Sequence, residues 1–392
     1  MRPASCDSPR CAEVMRPVSP RRVLFLVNTL ETGGTERNVT TFCRAIDRAR
    51  YVPEVWVLNA GVQGAVRETA VRESGIVVRD LARRSVKDVA WTLGAAWRIA
   101  RSGFDLVHAF LPTIAAYASL GRALFRFKQP FVLSVGTSKF VSPREERLVR
   151  HVFRRTVDEA VGNSPAVARY LRELGFDPSH ISVVPNGHDP ARYDAPLDRE
   201  ALRASVGIRD GERMLVYVGR FIESKRTCDL VEAIHRLAGH PVPFRVLLVG
   251  DGHLRPELEA QIASLGLGER VTFLGSRKDV PELLRAADLF VFPSALEGLP
   301  NAVVEACLAG VPVVAADIPG TRDVVRHGET ALLPPVRDPG AFAEAIGRML
   351  DEPALAKTFA ARAQAEARAT YTIERSLEAL YGVYARALAA RG

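Results

Sequence analysis

The stretch Ser294-Ala-Leu-Glu297-Gly-Leu-Pro-Asn301-Ala-Val-Val-Glu305 carries two carboxylates eight residues apart, directly after an apolar run that ends at Pro293. The apolar run predicts a buried strand. The residues from Pro300 onward predict a helix, because proline is tolerated in the first helical turn, where its missing amide hydrogen would have no partner. The first amides of such a helix favour an anion such as phosphate. We therefore expect this segment to hold a phosphate at the helix end and sugar hydroxyls at the two carboxylates.

Alternating strand and helix patterns extend from this segment along the chain. We predict seven short strands between residues 22 and 184 and five between residues 214 and 315, with amphipathic helices such as residues 86–100 between them. Two further helices, at residues 354–370 and 372–390, end the chain. This alternation predicts an α/β fold with parallel sheets and crossover helices. Two Rossmann-like, doubly wound domains facing across a cleft follow, with ligands outside the carboxyl ends of the strands.

A connection rich in Pro, Asp and Arg, at residues 186–213, suggests where one domain ends and the next begins. We place a disordered extension at residues 1–20, a first domain at 21–190, a second domain at 191–370 and a final helix in 371–392. The extension contains Cys6 and Cys11 and lacks the apolar segment of a secretory signal.

The bulk composition predicts a soluble globular protein of two domains. The 392 residues are 47% hydrophobic and 25% charged, which is the range of ordinary globular chains. No apolar run approaches the ~20 residues that cross a bilayer. The five cysteines show no Cys-x-x-Cys spacing, so we expect neither a metal site nor a disulfide framework, and a reducing cytoplasm fits.

Positive charge is concentrated in the first half of the chain. Residues 1–190 contain 28 Lys and Arg against 18 Asp and Glu, a net charge of +10, whereas the remainder has a net charge of −2. A basic half suits an anionic partner such as a phospholipid surface or a lipid pyrophosphate. The alternative is a solvated face in an arginine-rich protein. No nucleic-acid motif is present, so we expect no nucleic-acid partner.

Two short motifs suit a ligand with a diphosphate. Gly33-Gly34-Thr35-Glu36 opens a helix after the first strand, and adjacent glycines let the backbone approach a bulky ligand. The spacing is not Gly-x-Gly-x-x-Gly, which argues against a dehydrogenase. In the second domain, Arg220 and Lys225 lie five residues apart in a turn after a strand. Such a pair can clamp a diphosphate, with Arg as a bidentate fork and Lys as a point charge.

The spacing Glu297-x7-Glu305, within Phe-Pro-Ser-x-x-Glu-Gly-Leu-Pro-Asn, resembles the retaining glycosyltransferases of family 4, which have the GT-B fold. The resemblance implies that Glu297 contacts hydroxyls of the donor sugar and that Glu305 holds the nucleotide ribose. It implies further donor contacts, and these come from Gly33, Gly34, Arg220, Lys225, Arg277, Gly298, Leu299 and Asn301. It also implies that the final helix packs back on the first domain and that the reaction needs no metal or other cofactor.

His108 matches the family only in part. The segment Asp105-Leu-Val-His108-Ala-Phe110 resembles the family's His-x-His element, but the second position is Phe110. His108 is therefore either a catalytic, sugar-orienting residue or a core histidine. Other family-like elements are Val161-Gly-Asn-Ser164, Pro185-Asn-Gly-His188-Asp189 and Gly250-Asp-Gly252.

The combined interpretation is a retaining, metal-independent hexosyltransferase. It uses a UDP- or GDP-sugar and a glycan or lipid-linked acceptor, in polysaccharide or lipid-linked glycan synthesis. A nucleotide-sugar 2-epimerase and a catalytically silent GT-B-like binding protein are the alternatives. We expect a cytoplasmic protein that contacts an anionic membrane through basic side chains of its first half, namely Arg122, Arg126, Lys128, Arg144, Arg147 and Arg150.

Overall fold

A computed structural model describes residues 19–30, 33–58, 66–82, 88–140 and 142–391, without the side chains of residues 66 and 67. Two predictions fall outside these residues: residues 1–18 of the predicted extension, with Cys6 and Cys11, and the start of the helix predicted at 86–100.

The first domain is a seven-stranded parallel sheet with strand order β3-β2-β1-β4-β5-β6-β7. Its strands are β1 Arg21–Val27, β2 Tyr51–Val57, β3 Val78–Asp80, β4 Leu106–Ala109, β5 Phe131–Val135, β6 Glu159–Gly162 and β7 Ile181–Val183. Its helices are α1 Gly34–Ala45, α2 Val66–Glu73, α3 Val89–Ala100, α4 Pro112–Phe125, α5 Pro143–Leu148, α6 Arg154–Thr156 and α7 Pro165–Glu173. A π-helical turn, Val149–Phe153, joins α5 to α6.

The second domain is a five-stranded parallel sheet with strand order β10-β9-β8-β11-β12. Its strands are β8 Arg213–Val218, β9 Phe244–Val249, β10 Val271–Gly275, β11 Leu289–Phe292 and β12 Val313–Ala315. Its helices are α8 Arg199–Ser205, α9 Thr227–Arg236, α10 Arg255–Ser264, α11 Val280–Ala286, α12 Asn301–Ala309, α13 Pro319–Arg322, α14 Pro339–Asp351 and α15 Pro353–Thr370. The final helix of the chain is α16 Ile373–Ala389.

Successive residues of β1 point to opposite faces of the first sheet, and both faces are buried. Leu24 and Leu26 pack in one core with α3, α4 and α7, whereas Phe25 and Val27 pack in another with α1 and α16. Burial on both faces explains why the strand is a continuous apolar run instead of an alternating one.

Two chain crossings connect the domains and pair with each other. The backbone N–H of His188 donates to the Tyr371 carbonyl at 2.9 Å, and the N–H of Ile373 donates to the His188 carbonyl at 3.1 Å. Helix α16 then packs in the core of the first domain through Leu380, Val383 and Tyr384. Two doubly wound parallel-sheet domains, predicted from the alternation, are confirmed.

Candidate active site in the interdomain cleft

A cavity of about 1430 Å³ lies between the two domains. Its lining includes the loops that follow the strands of both sheets, where doubly wound folds bind ligands, together with residues of α1 and α16. It includes nine of the residues predicted from the sequence, Gly33, Gly34, Arg220, Lys225, Arg277, Glu297, Leu299, Asn301 and Glu305. His108 and Gly298 are not part of the lining.

The side-chain carboxylate of Glu297 is held by groups of its own domain. Its Oε1 accepts a hydrogen bond from Ser294 Oγ at 2.7 Å and pairs with the ammonium group of Lys225. The Lys225 Nζ atom also lies 5.3 Å from the centre of the Phe292 ring, in cation–π range. One ammonium group therefore stands beside the carboxylate that the sequence assigns to the donor sugar.

Helix α12 points its N-terminus into the cavity. No side chain of the described residues caps this end, and Pro300 precedes the first helical residue, so the first amides are available to an anion. Gly34 of the first domain comes close to the same end, since a Cβ atom there would lie 3.3 Å from Asn301 Nδ2. The Asn301 Oδ1 atom accepts from Asn186 Nδ2 at 2.9 Å.

Arg220 lies in the turn after β8, with an exposed side chain, and no ion pair to another described residue is found for it. Two glycines of Gly250-Asp-Gly252 press against this turn: Gly250 has φ +133°, and a Cβ on it would collide with the Gly219 carbonyl oxygen. Only glycine fits this approach. The packing fixes the backbone that presents Arg220 to the cleft.

Glu305 is 6% exposed and forms an ion pair with Arg37 of helix α1, in the other domain. Burial raises the pKa of Glu305, but the charges of Arg37, His188 and Arg192 and the hydrogen bond from Arg37 outweigh it, so the pKa lies below its ordinary value. Arg37 also donates from Nη2 to His188 Nδ1 at 3.0 Å. Arg37 was not among the residues predicted for the site, although it directly follows Glu36 in the glycine motif.

His108 lies outside the cavity lining and is fully buried. Both ring nitrogens have protein partners, since Nδ1 is 2.8 Å from the Tyr384 hydroxyl and Nε2 is 2.7 Å from Ser134 Oγ. The ring stacks on Phe110 with 4.0 Å between centroids. Burial lowers the pKa of His108 to about 3, so the ring is neutral. This arrangement matches the core histidine, one of the two alternatives that the sequence left open, because both ring nitrogens are already paired inside the protein.

Gly298 contacts the first domain instead of the cavity. A Cβ on Gly298 would collide with the Gly136 carbonyl oxygen, and the Gly298 carbonyl accepts from Ser164 Oγ at 2.9 Å. Ser138 Oγ donates to the neighbouring Glu297 carbonyl at 2.6 Å. The loop that carries Glu297 is thus gripped by two hydroxyls of the first domain.

Arg277 lines the cavity, and its guanidinium is paired with Asp279 at 2.6 and 2.8 Å. Both side chains are about one third exposed. The pairing holds Arg277 at the cavity edge, where the resemblance places the nucleotide base.

Two of the arginines predicted to face a membrane have partners within the protein, Arg122 in a largely buried position and Arg150 at the surface. Arg122 is 13% exposed, pairs with Asp158 at 2.9 Å and donates to the carbonyls of Thr156 and Gln129. Arg150 pairs with Glu146 at 3.0 Å and donates to the Glu173 carbonyl. The prediction that Arg122 faces lipid is therefore wrong, because its guanidinium group binds Asp158 and two backbone carbonyls inside the first domain.

Comparison with known proteins assigns both halves of the chain. The family model "Glycosyltransferase Family 4" matches residues 32–192, and "Glycosyl transferases group 1" matches residues 198–366. The D-inositol 3-phosphate glycosyltransferase of Rhodococcus erythropolis is 33% identical over 345 residues, 84% of this chain and 72% of that protein. The 2-deoxystreptamine glucosyltransferase of Streptomyces kanamyceticus is 36% identical over 186 residues, 46% of this chain and 48% of the relative.

Among solved structures, Anabaena HepE in complex with UDP-glucose has the same architecture. Its TM-score is 0.82 at 23% sequence identity, over 93% of this chain and all of that one. This similarity confirms the GT-B arrangement of the two domains.

Proposed function

The chain belongs to the family 4 glycosyltransferases, and we propose that it moves a hexose-type sugar from a UDP-sugar to an acceptor hydroxyl with retention of anomeric configuration. The choice of UDP over GDP is supported by the similar HepE structure, whose complex contains UDP-glucose. An acceptor in polysaccharide or lipid-linked glycan synthesis is part of the same proposal.

One observation carries the donor assignment. Two carboxylates, Glu297 and Glu305, flank the uncapped N-terminus of α12 in a single cavity, and Arg220 and Lys225 line the same cavity. A nucleoside diphosphate sugar needs these parts together: acceptors for sugar and ribose hydroxyls, and amides and cations for the diphosphate. We assign Glu297 to the sugar and Glu305 to the ribose.

The reaction places its greatest charge change at the diphosphate. As the glycosidic C–O bond breaks, the leaving group gains negative charge, which Arg220, Lys225 and the amides of α12 stabilise. The acceptor oxygen bonds to the anomeric carbon on the same face, and its proton passes to the departing phosphate oxygen. Because protein cations supply the charge, we propose that no metal ion is required.

A panel of donors tests this function. Purified protein is incubated with UDP- and GDP-hexoses with and without EDTA, and the products are separated by chromatography. Slow release of free sugar and nucleoside diphosphate from one donor supports the proposal. An isomeric nucleotide sugar would indicate an epimerase, no turnover of any donor would indicate a binding protein, and reversible loss of activity with EDTA would refute metal independence.

The first domain also presents a surface suited to an anionic membrane. Helix α3 exposes Val89, Leu93 and Trp97 at intervals of four residues, so these side chains form one stripe. Neighbouring elements add Leu124 of α4 and Leu148 and Val152 around α5. We call these six residues the apolar patch. No helix in the described ranges is long and apolar enough to span a membrane.

Exposed cations lie on or directly after the helices α3, α4 and α5, beside the apolar patch in sequence. They are Arg98 and Arg101 at the end of α3, Arg126 and Lys128 after α4, and Arg144 and Arg147 on α5. Apolar side chains beside Lys and Arg are typical of surfaces that rest in the headgroup region of anionic bilayers. We infer that the first domain docks on such a membrane to reach a lipid-linked acceptor.

A further inference from the structure

Arg37 connects three parts of the molecule that the sequence keeps apart. It lies in the first turn of α1, pairs with Glu305 of the second domain, and donates to His188 in the crossing between the domains. Glu305 is almost fully buried, whereas the Arg37 side chain is one third exposed and lines the cavity. The contact spans the cleft at the point assigned to the nucleotide ribose.

We propose that Arg37 is a positioning residue that orients the Glu305 carboxylate for the nucleotide ribose, so that donor affinity depends on closure of the two domains. This inference rests on the ribose role proposed for Glu305. Arg37 contacts Oε1 of Glu305. No hydrogen bond from a described residue to the other oxygen, Oε2, is found, and this oxygen is not fully buried. The carboxylate can thus keep Arg37 on one oxygen while the other accepts a ribose hydroxyl.

His188 contacts the same guanidinium nitrogen of Arg37, Nη2, that pairs with Glu305. Since a guanidinium only donates, His188 Nδ1 accepts from Arg37 and the ring proton of neutral His188 lies on Nε2. His188 is 5% exposed and lines the cavity, and its Nε2 atom is buried without a hydrogen-bond partner among the described residues. The backbone of His188 is tied to Tyr371 and Ile373 at the crossings. Arg37 is therefore anchored to the hinge and does not swing freely.

Glu305 has no other strong partner to replace Arg37. The groups that face it are Arg37 from α1, His188 from the crossing, and Arg192 and Tyr193 from the turn after it. Arg37 supplies both the largest favourable charge and the hydrogen bond. Without Arg37, burial would raise the pKa of Glu305, and a protonated carboxyl would no longer accept from the ribose as a carboxylate does.

The test is the dissociation constant of UDP, measured by calorimetry from pH 6 to pH 9. We expect Glu305→Gln to weaken UDP binding about ten-fold or more. We expect Arg37→Met to weaken it on the order of ten-fold at neutral pH, with affinity recovering as the pH rises, whereas the wild type varies little. The double variant should bind UDP within about two-fold of Glu305→Gln, because the two changes disrupt the same contact between Arg37 and Glu305. Arg72→Met, which breaks an ion pair with Glu68 in the same domain and outside the cavity lining, is the matched control.

Two further variants keep the test decisive. Arg37→Lys keeps the charge on a shorter side chain that lacks the planar guanidinium, so we expect intermediate affinity without the pH dependence. His188→Val removes the anchor and should weaken UDP binding about three-fold, and His188→Asn, which keeps an acceptor, should restore it.

The results separate the two ideas. If Glu305→Gln binds UDP as the wild type does, the proposed ribose role is wrong. If Glu305→Gln weakens binding while Arg37→Met and Arg37→Lys bind UDP normally at every pH, the donor site stands and the positioning role of Arg37 is overturned. Should Arg37→Met fail to fold, Arg37→Lys and His188→Val decide alone, and normal affinity in both overturns the inference.

Discussion

The two carboxylates of the cleft, Glu297 and Glu305, are held in opposite ways. Glu297 takes its partners from its own domain, Lys225 and Ser294, whereas Glu305 takes its partner, Arg37, from the other domain. The carboxylate assigned to the sugar is therefore positioned by side chains of its own domain, while the first domain binds only the backbone of its loop. The carboxylate assigned to the ribose is paired only when the domains are together. One motif of twelve residues thus contains one carboxylate, Glu297, that is paired within its domain, and another, Glu305, that is paired only across the cleft.

The largest expected effect lies at the two cations assigned to the leaving diphosphate. Lys225→Ala should lower kcat on the order of 10²-fold or more, because the variant loses a cation at the leaving diphosphate and the partner of Glu297. Arg220→Ala should lower kcat by about 10²-fold, since Arg220 has only the first of these roles. Initial rates at saturating donor measure both.

Arg226→Ala is the control for this pair. Arg226 follows Lys225 directly, but it pairs with Asp229 and does not line the cavity. Its kcat should stay within about three-fold of the wild type. Normal turnover in both Arg220→Ala and Lys225→Ala would show that the diphosphate is stabilised elsewhere.

Substitutions of two glycines distinguish a packing contact within one domain from a packing contact between the domains. Gly250→Ala forces a Cβ against the Gly219 carbonyl at a positive φ, so we expect a loss of about 1–3 kcal/mol in stability and a lower Tm. Gly298→Ala collides with Gly136 across the cleft. Opening the cleft relieves this clash, so Gly298→Ala should lose about ten-fold in kcat/KM while its Tm stays near that of the wild type. A Tm loss in Gly298→Ala as large as in Gly250→Ala would contradict the separation.

The smallest effects concern the membrane surface of the first domain. Charge reversal at Arg126 and Lys128 should weaken binding to anionic vesicles by about 1 kcal/mol per residue, and Trp97→Ser should weaken it by a similar amount. Reversal of Lys357 and Arg362, exposed on α15 in the second domain, is the matched control. Binding should fall with added salt as the Debye length shortens. Equal cosedimentation with neutral and anionic vesicles at low salt would favour a soluble acceptor.

The fold was predictable because its strands are short, apolar and separated by helical patterns. Strand β2 begins at Tyr51 although it contains Pro53, a residue that removes a ladder donor. The amide of Val55 points toward β3. The nitrogen of Pro53, two residues earlier, therefore faces the same side, but β3 pairs only with Val55 to Val57. The missing N–H therefore costs no hydrogen bond.

The residues that sequence reasoning placed least well are those whose role depends on tertiary neighbours. His108 shares its face of β4 with Leu106 and Phe110, in the core that α16 completes, and alternation along the strand was the signal that favoured a core position. Arg37 received no role of its own from the sequence. Its partner Glu305 lies 268 positions away, and no local pattern joins residues at such a distance.

The most direct test of the contrast between the two carboxylates is the division between kcat and KM in their matched variants. Glu297→Gln and Glu305→Gln are assayed with the preferred UDP-sugar in EDTA. We predict that Glu297→Gln lowers kcat and changes the donor KM little, whereas Glu305→Gln raises the donor KM and changes kcat little, because a ribose contact is equal in the ground and transition states. The same change in both variants, in kcat alone or in KM alone, would contradict the division of roles.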